Sequence, residues 1–243
     1  MALYLASHVH TCLTGGQLVL LDLRRDEYLG LAGEDAHALA AHVCDWPVVP
    51  VSDGSRQRSS EERVRRRLEQ LVAKSILTST PQSKRITPPP VPIVQSALVQ
   101  ERPGIRPHVR ARDVVGLVLA SMRTRRHLRS GTLESAVEHV RLRKESRAGA
   151  YGMKTAEPER DDQVRDAVAA FLYLRPLLFR SKNNCLFDSL ALIEYLARRR
   201  VFPTWVFGVS VTPFSAHCWV QEETVVFNDS PEHVRRYSPI LSV

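Results

Sequence analysis

The hydrophobic pattern of the N-terminal part of the chain predicts three short strands followed by helices. Apolar runs of strand length lie at residues 3–12, 18–23 and 28–32, and turn-forming residues separate them. A helix is expected to open at Gly33, because the acidic residues that follow would face the positive end of the helix dipole.

A second N-terminal helix is predicted over residues 61–75, with Ser60 as its N-cap. Its apolar residues, among them Leu68 and Leu71, recur at helical spacing and define one face. The opposite face carries arginines such as Arg67. We therefore expect a small domain of mixed secondary structure over residues 1–83.

Proline is concentrated between the two halves of the chain. Seven prolines fall within residues 81–107, and proline at this density cannot continue a helix or a central strand. The pattern predicts a semi-extended, basic linker over residues 84–109. The C-terminal domain would then span residues 110–243.

The C-terminal domain reads as helices followed by strands. Helices are expected at residues 113–122, 133–144 and 162–178, the last kinked or ended by Pro176, and then from Cys185 onward. The helix after Cys185 is apolar around most of its circumference, which is typical of a buried helix. Strands are predicted at residues 205–211, 216–221 and 225–228. The fold class is α+β.

Composition narrows the functional classes. Apolar residues make up 44% of the chain and charged residues 25%, as in folded soluble proteins. The start of the chain lacks the basic and apolar segments of a secretory signal, and charges interrupt the apolar stretches before membrane-spanning length. We therefore expect a cytoplasmic protein without a membrane partner.

Basic residues are concentrated in the middle of the chain. Residues 84–150 contain 14 Lys or Arg and 5 Asp or Glu, a net charge of +9, whereas residues 1–83 have a net charge of −1. The basic segment is either a solvated helix face or a surface for an acidic peptide, an acidic protein or nucleic acid. The charge of residues 1–83 argues against a DNA-reading winged helix, and we expect no nucleic-acid partner.

Cys185 is the candidate nucleophile. It follows Asn183 and Asn184, and asparagine is a preferred N-cap, so Cys185 would lie in the first turn of the buried helix. The free N–H groups and the dipole at that position stabilise a thiolate. A packed core cysteine is the alternative interpretation of this residue alone.

His217 and Asp229 are the candidate partners of Cys185. His217 begins the second C-terminal strand and Asp229 ends the third. A thiolate catalyst needs a base beside it, and the base needs a carboxylate that fixes its tautomer and orientation. His217 and Asp229 face each other only if the connecting hairpin has an odd-length loop or a bulge, so a triad predicts that irregularity.

The other cysteines and histidines are given no catalytic role. Cys218 would point away from His217 on the strand and be inert, which also disfavours a zinc site from Cys185, His217 and Cys218. No metal is expected. Four cysteines without a close pair predict no disulfide framework in a reducing compartment, and the remaining histidines are interpreted as structural or surface residues.

Three segments resemble one enzyme family. Residues 184–190, 216–220 and 227–230 read NCLFDSL, AHCWV and FNDS, and they resemble the protease that matures lasso peptides, the B protein of those pathways. The order Cys, His, Asp also resembles the transglutaminase-like, or papain-like, cysteine peptidases. The N-terminal pattern resembles winged-helix-like leader-recognition domains of peptide-modifying systems, so the whole chain resembles the fused form of that protein.

The resemblance implies a leader-binding role for the N-terminal domain. The leader of a ribosomally made precursor would add as a strand to the edge of the third predicted strand, at Tyr28, Leu29 and Leu31. Arg67 and Leu71 of the neighbouring helix would complete that surface.

The resemblance also implies a reaction. Cys185 would attack the scissile carbonyl, His217 would transfer the proton and Asp229 would orient His217, with Asn183 or Asn184 as candidate oxyanion donors. The released core would pass to an asparagine-synthetase-like lasso cyclase that uses ATP, so the peptidase is expected to need no cofactor. Transglutaminase-like acyl transfer and a non-catalytic leader-binding scaffold remain the alternatives.

Overall fold

A computed structural model describes residues 2–48, 58–81, 90–99, 107–148, 158–179 and 184–243. The chain divides into an N-terminal unit, Met1–Thr87 with Ser210–Phe214, and a C-terminal unit, Pro88–Val209 with Ser215–Val243. The C-terminal unit contains the candidate catalytic residues Cys185, His217 and Asp229 and is called the catalytic unit for that reason. Among the helices in the described ranges, none is both long enough and apolar enough to cross a membrane.

The N-terminal unit consists of two small sheets and two helices. Its elements are β1 (Leu3–Leu5), β2 (Val9–Thr14), β3 (Gln17–Asp22), β4 (Glu27–Ala32), α1 (Gly33–Leu39), β5 (Val43–Cys44), α2 (Arg58–Ala73) and β6 (Leu77–Thr78). Strands β2, β3 and β4 form an antiparallel sheet with β3 in the centre. Strand β1 lies between β5 and β6 in the second sheet.

Two details of the N-terminal prediction are wrong. The apolar run at residues 3–12 forms two strands rather than one, because the backbone turns at Ser7 and His8. Helix α2 begins at Arg58, so Ser60 lies inside it and does not cap it. The winged-helix-like character of this unit stays a prediction.

One hydrophobic core holds the N-terminal unit together. Leu18 and Leu20 of β3 share it with Leu31 of β4, Leu39 of α1 and Leu71 of α2. Burial of each such side chain is worth roughly 1.5–3 kcal/mol. The apolar face predicted for α2 therefore contributes to this core.

Within the residues that the structure describes, five helices form one part of the catalytic unit. They are α3 (Ala111–Ser130), α4 (Leu133–Ala148), α5 (Pro158–Leu178), α6 (Cys185–Ala197) and the short α7 (Pro231–Val234). The first three contain the predicted helical segments and extend beyond them. Helix α5 ends two residues after Pro176, and α6 is buried from Phe187 to Ala197, as its apolar circumference predicts.

A five-stranded sheet forms the other part of the catalytic unit. Its strands are β7 (Ser96–Ala97), β8 (Thr204–Val211), β9 (Phe214–Glu222), β10 (Val225–Val226) and β11 (Ser238–Ser242), in the order β11-β8-β9-β10-β7. Helix α6 packs on this sheet, and Trp205 Nε1 of β8 donates a hydrogen bond of 2.8 Å to Ser189 Oγ of α6. The sequence interpretation missed β11, whose ladder with β8 is irregular at Pro239.

Part of the predicted linker belongs to the catalytic sheet. Strand β7 pairs in parallel with β10, and Val94 beside it is buried in a cluster with Trp219 and Val226. Arg235 donates hydrogen bonds to the carbonyls of Val94 and Gln95. The linker prediction over residues 84–109 is therefore wrong for this stretch, while residues 82–89 and 100–106 lie outside the described residues.

Candidate active site

Cys185 is the first residue of α6, as predicted, and its side chain is half-buried. Asn184 occupies the N-cap position, but its side chain makes no capping hydrogen bond and is exposed. The predicted side-chain cap is therefore absent at Asn184. Asn183, the other candidate oxyanion donor, lies outside the described residues.

His217 of β9 lies between Cys185 and Asp229. Its Nε2 is 2.5 Å from Asp229 Oδ2, and the cavity that these two residues line also contains Cys185. Because an imidazole has two nitrogens and Asp229 engages Nε2, Nδ1 is the nitrogen left for Cys185. The structure thus brings all three predicted catalytic residues together.

The sequence predicts either an odd-length loop or a bulge in the hairpin that carries Asp229. Val225 pairs with Glu222 and Val226 with Gln221, so the loop contains two residues and the odd-length loop is not formed. If this register continued, Asp229 would lie opposite Cys218 rather than His217.

The ladder instead changes at Asn228. Phe227 N still donates to Val220 O at 2.9 Å, but Val220 N donates to the side-chain Oδ1 of Asn228, also at 2.9 Å. An amide side chain thus takes the place of a backbone carbonyl in the ladder. The backbone after Asn228 is released from the sheet register, and Asp229 reaches His217.

The pKa values of Cys185 and His217 are shifted in opposite directions. The pKa of Cys185 falls to about 4, because hydrogen bonds from Cys218 and from His217, together with the His217 charge, outweigh burial. Burial alone would lower the pKa of His217, but hydrogen bonds with Asp229 and Cys185 raise it to about 9. The two residues therefore form a thiolate and imidazolium pair at neutral pH.

The pKa of Asp229 is lowered, although burial opposes this shift. Its carboxylate accepts hydrogen bonds from His217, His233 and the Ser230 backbone N–H. A carboxylate that stays ionised keeps the proton of His217 on Nε2 and stabilises the imidazolium.

Cys218 does not face away from the site, contrary to the prediction. It is buried, its Sγ lies 3.3 Å from Ser189 Oγ, and its thiol is a hydrogen-bond donor to Cys185. Burial, and then the neighbouring Cys185, raise the pKa of Cys218 well above the usual thiol range. Cys218 therefore remains a thiol that stabilises the Cys185 thiolate.

His233 is a site residue that the sequence interpretation missed. Its Nδ1 lies 2.9 Å from Asp229 Oδ2, and Tyr237 Oη lies 3.5 Å from its Nε2. His233 follows Asp229 by four residues on α7, whose N-cap is Ser230. This i,i+4 spacing after a Ser-Pro helix start is the signal that could have identified it.

A second buried network supports Asn228. Asp188 Oδ2, on the first turn of α6, accepts hydrogen bonds from Arg175 at 2.7 Å and from Asn228 Nδ2 at 2.9 Å. Burial raises the pKa of Asp188, and the charge of Arg175 opposes that shift. Because Asn228 breaks the ladder beside Asp229, this network helps to position the candidate carboxylate.

The site lies at an open cavity of about 480 Å³. Cys185, His217 and Asp229 line it, together with His233 and Tyr237. The thiolate and the imidazolium therefore face a space in which a peptide carbonyl can bind.

The predicted leader surface has a mixed outcome. Strand β4 is an edge strand within the described part of its sheet, because it pairs only with β3 there. Leu31 and Leu71 are only 0% and 1% exposed, so their side chains are not available to a peptide. Tyr28 and Leu29 are half-buried, and Arg67 donates a hydrogen bond to Gln70.

A cysteine at the start of a buried helix lines one cavity with a histidine that is hydrogen-bonded to an aspartate, which is the arrangement expected of a papain-like thiol site. The profile of the Transglutaminase-like superfamily matches residues 116–242, more than half of the chain, and the chain belongs to that superfamily. No curated protein and no solved structure matches it. The family match confirms the predicted transglutaminase-like domain within an α+β fold and leaves the N-terminal unit unassigned.

Proposed function

We propose that this protein is a cysteine peptidase that cuts the leader from a ribosomally made lasso-peptide precursor, with Cys185, His217 and Asp229 as its triad. The catalytic part of this proposal rests on the opposite pKa shifts of Cys185 and His217. Cys185 has a pKa of about 4, while His217, 2.5 Å from Asp229, has a pKa of about 9.

The proposed reaction follows from this charge state. The Cys185 thiolate attacks the scissile carbonyl carbon, and the imidazolium of His217 gives its Nδ1 proton to the leaving amine. The acyl group remains on sulfur as a thioester. His217, now neutral, takes a proton from water, which attacks the thioester and regenerates the thiolate. The Cys185 backbone N–H at the helix start is a donor for the oxyanion.

The leader-binding part of the proposal rests on the N-terminal unit. An edge strand such as β4 offers unpaired backbone groups to which a leader can add as a further strand. Burial of Leu31 and Leu71 narrows the candidate side chains to Tyr28, Leu29 and Arg67. We place the protein in the cytoplasm, where an asparagine-synthetase-like cyclase would take the freed core and consume ATP.

Acyl transfer is the second candidate function, and the superfamily match favours it. The thioester on Cys185 would then be attacked by an amine instead of water, which forms an amide and releases the same thiolate. A non-catalytic scaffold would need neither the polarised thiol nor the histidine and aspartate beside it.

Mass spectrometry of a precursor cleavage reaction tests the proposal. The wild type, Cys185→Ala and the matched control Cys44→Ala, an exposed cysteine, are incubated with the precursor encoded beside this gene, with and without the neighbouring cyclase. Leader binding is followed separately by fluorescence anisotropy. We expect one leader-length cut that Cys185→Ala abolishes and Cys44→Ala retains, with leader binding unchanged in both variants.

Other outcomes contradict specific parts of the proposal. An amide product with an added amine, in place of hydrolysis, would replace the peptidase with an acyltransferase. No product under any condition, together with a Cys185 thiol that does not react with iodoacetamide at neutral pH, would reject an activated thiolate. Cleavage without leader binding to the N-terminal unit would reject the leader-recognition role.

A further inference from the structure

A second cluster of titratable side chains lies in the catalytic unit, outside the cavity described above. His127 of α3, His139 of α4 and Glu194 of α6 each offer one ligand atom, and these atoms lie within 4.8 Å of one another. His139 Nε2 is 3.2 Å from Glu194 Oε1, and the two histidine rings are 4.4 Å apart. Three helices thus converge on one point through nitrogen and oxygen donors.

Glu194 is an unusual residue at this position, because it is a carboxylate that is only 1% exposed on a mostly apolar helix. Its two oxygens have different neighbours. Oε1 faces His139, whereas Oε2 accepts a hydrogen bond of 2.9 Å from Arg143 and lies 3.9 Å from Arg123. One oxygen is therefore held by cations, and the other is presented to the histidines.

We propose that His127, His139 and Glu194 bind a divalent transition metal ion of the Zn²⁺ type, with one further position open to water. Two imidazoles and a carboxylate are a donor set that such ions accept. Ligands about 2.0–2.1 Å from a tetrahedral ion are roughly 3.3 Å apart, close to the separation of His139 Nε2 and Glu194 Oε1.

The surroundings fit a metal site. Arg143 would act as the outer partner that orients the ligating carboxylate. The side chain of His139 is 40% exposed, which gives an ion access from solvent.

A bound ion would connect α3 and α4 to α6, the helix that begins with Cys185. The ion is expected to stabilise the folded catalytic unit by mass action, because the unfolded chain does not hold the three ligands together. This inference does not depend on the peptidase proposal.

The active site must be separated from this cluster in any test. His217, Asp229 and His233 also have ligand atoms within 4.8 Å of one another, so added metal can occupy them. The experiment therefore uses the full chain carrying Cys185→Ala and His217→Ala. The two substitutions remove the His217 ligand from the active-site group and the thiol of Cys185 near it. They leave His127, His139 and Glu194 intact.

Isothermal titration with Zn²⁺, visible absorption with Co²⁺ and thermal melts are measured on this background. We expect one ion per chain, Co²⁺ bands typical of low coordination number, and a melting temperature raised by roughly 5 °C or more at a hundredfold excess over Kd. His127→Ala and His139→Ala should each weaken binding at least tenfold. His108→Ala, an exposed histidine of the same unit, is the matched control and should retain it.

The opposite result would show that the cluster is only an ion network between helices. No saturable Zn²⁺ binding on this background, or binding that neither His127→Ala nor His139→Ala weakens, overturns the proposal. Glu194→Gln removes a buried carboxylate and can fail to fold. The side chains of His127 and His139 are partly exposed, so their alanine variants are expected to fold. These two variants therefore test the proposal even if Glu194→Gln does not fold.

Discussion

The catalytic unit contains two clusters of the same composition, and they differ in what surrounds the carboxylate. In the first, Asp229 lies between His217 and His233, is 19% exposed and borders a cavity with a thiol. In the second, Glu194 is 1% exposed and is held by Arg143. Two histidines and an acid therefore do not define a chemistry by themselves.

The neighbours set the charge of each histidine. The Cys185 thiolate and the Asp229 carboxylate surround His217 with negative charge, and they raise its pKa to about 9 against the effect of burial. Burial and an adjacent histidine lower the pKa of His127. The first cluster thus holds a proton ready for transfer, while the second contains one histidine, His127, whose charged form is disfavoured.

Among substitutions that keep the Cys185 thiol, removal of His217 should have the largest effect on cleavage. His217→Ala deprives Cys185 of its general base and acid, and we expect kcat/KM to fall about 10³–10⁴-fold. The control is His108→Ala, an exposed histidine of the same unit, which should stay within about twofold of wild type. A similar loss in both variants would show that the assay reports folding rather than proton transfer.

Asp229→Asn should lower kcat/KM by about 10²–10³-fold, because the amide cannot stabilise the imidazolium. It should also shift the basic limb of the pH profile downward, since the hydrogen bond with Asp229 raises the pKa of His217. Kinetics between pH 6 and pH 10 measure both effects. A basic limb that does not move would contradict the role assigned to Asp229.

The pH profile of wild-type kcat/KM should be bell-shaped. Activity requires Cys185 deprotonated, so it rises as the pH passes about 4, and it requires His217 protonated, so it falls as the pH passes about 9. Each unit of pH beyond a limb should cost about tenfold. Iodoacetamide alkylation of Cys185, followed by mass spectrometry, should show the acidic limb without turnover. An alkylation midpoint near pH 8.5 would reject the thiolate.

His233→Ala should have a smaller effect, a three- to tenfold loss of kcat/KM by rough estimate, because it removes one of several hydrogen bonds to Asp229. Tyr237→Phe, which removes the hydroxyl contacts of 3.5 Å to His233 and 3.4 Å to Ser215 Oγ, should change the rate by less than about twofold. Equal losses in the two variants would indicate that the tyrosine, rather than His233, matters to catalysis.

The smallest effect concerns stability at the second cluster. Glu194→Gln weakens the interactions with Arg143 and His139, and without added metal it should lower the free energy of unfolding by about 1–3 kcal/mol. Glu138→Gln, whose exposed carboxylate pairs with Arg141, is the matched control and should cost less than about 0.5 kcal/mol. Urea unfolding measures the loss of free energy of unfolding in both variants. Equal losses would show that the buried Glu194 contributes no more to stability than the exposed Glu138.

The features predicted from the sequence were those that depend on local spacing. Helix α6 was predicted because it is apolar around most of its circumference, and Cys185 was assigned to its first turn by the residues before it. The partners His217 and Asp229 were assigned from strand ends and from resemblance. Each of these assignments needs only the neighbouring residues and the period of a helix or a strand.

The features that were missed depend on contacts between distant residues. The position of the break in the ladder between β9 and β10 was not predicted, because it depends on Asn228, whose side chain is held by Asp188 of α6. Cys218 was expected to face away because strand alternation alone does not show that α6 packs on that side of the sheet. His233 and Glu194 were interpreted as ordinary polar residues for the same reason.

Strand β7 has a consequence for separating the two units by genetic truncation or proteolysis. Residues 90–99 precede the first helix of the catalytic unit, yet their strand lies beside β10, the strand that leads to Asp229. A cut between residues 100 and 106 would leave β7 with the wrong fragment and expose the backbone edge of β10. An independent catalytic fragment should therefore begin before Pro90. This boundary lies among the first prolines of residues 81–107 and not after the last of them.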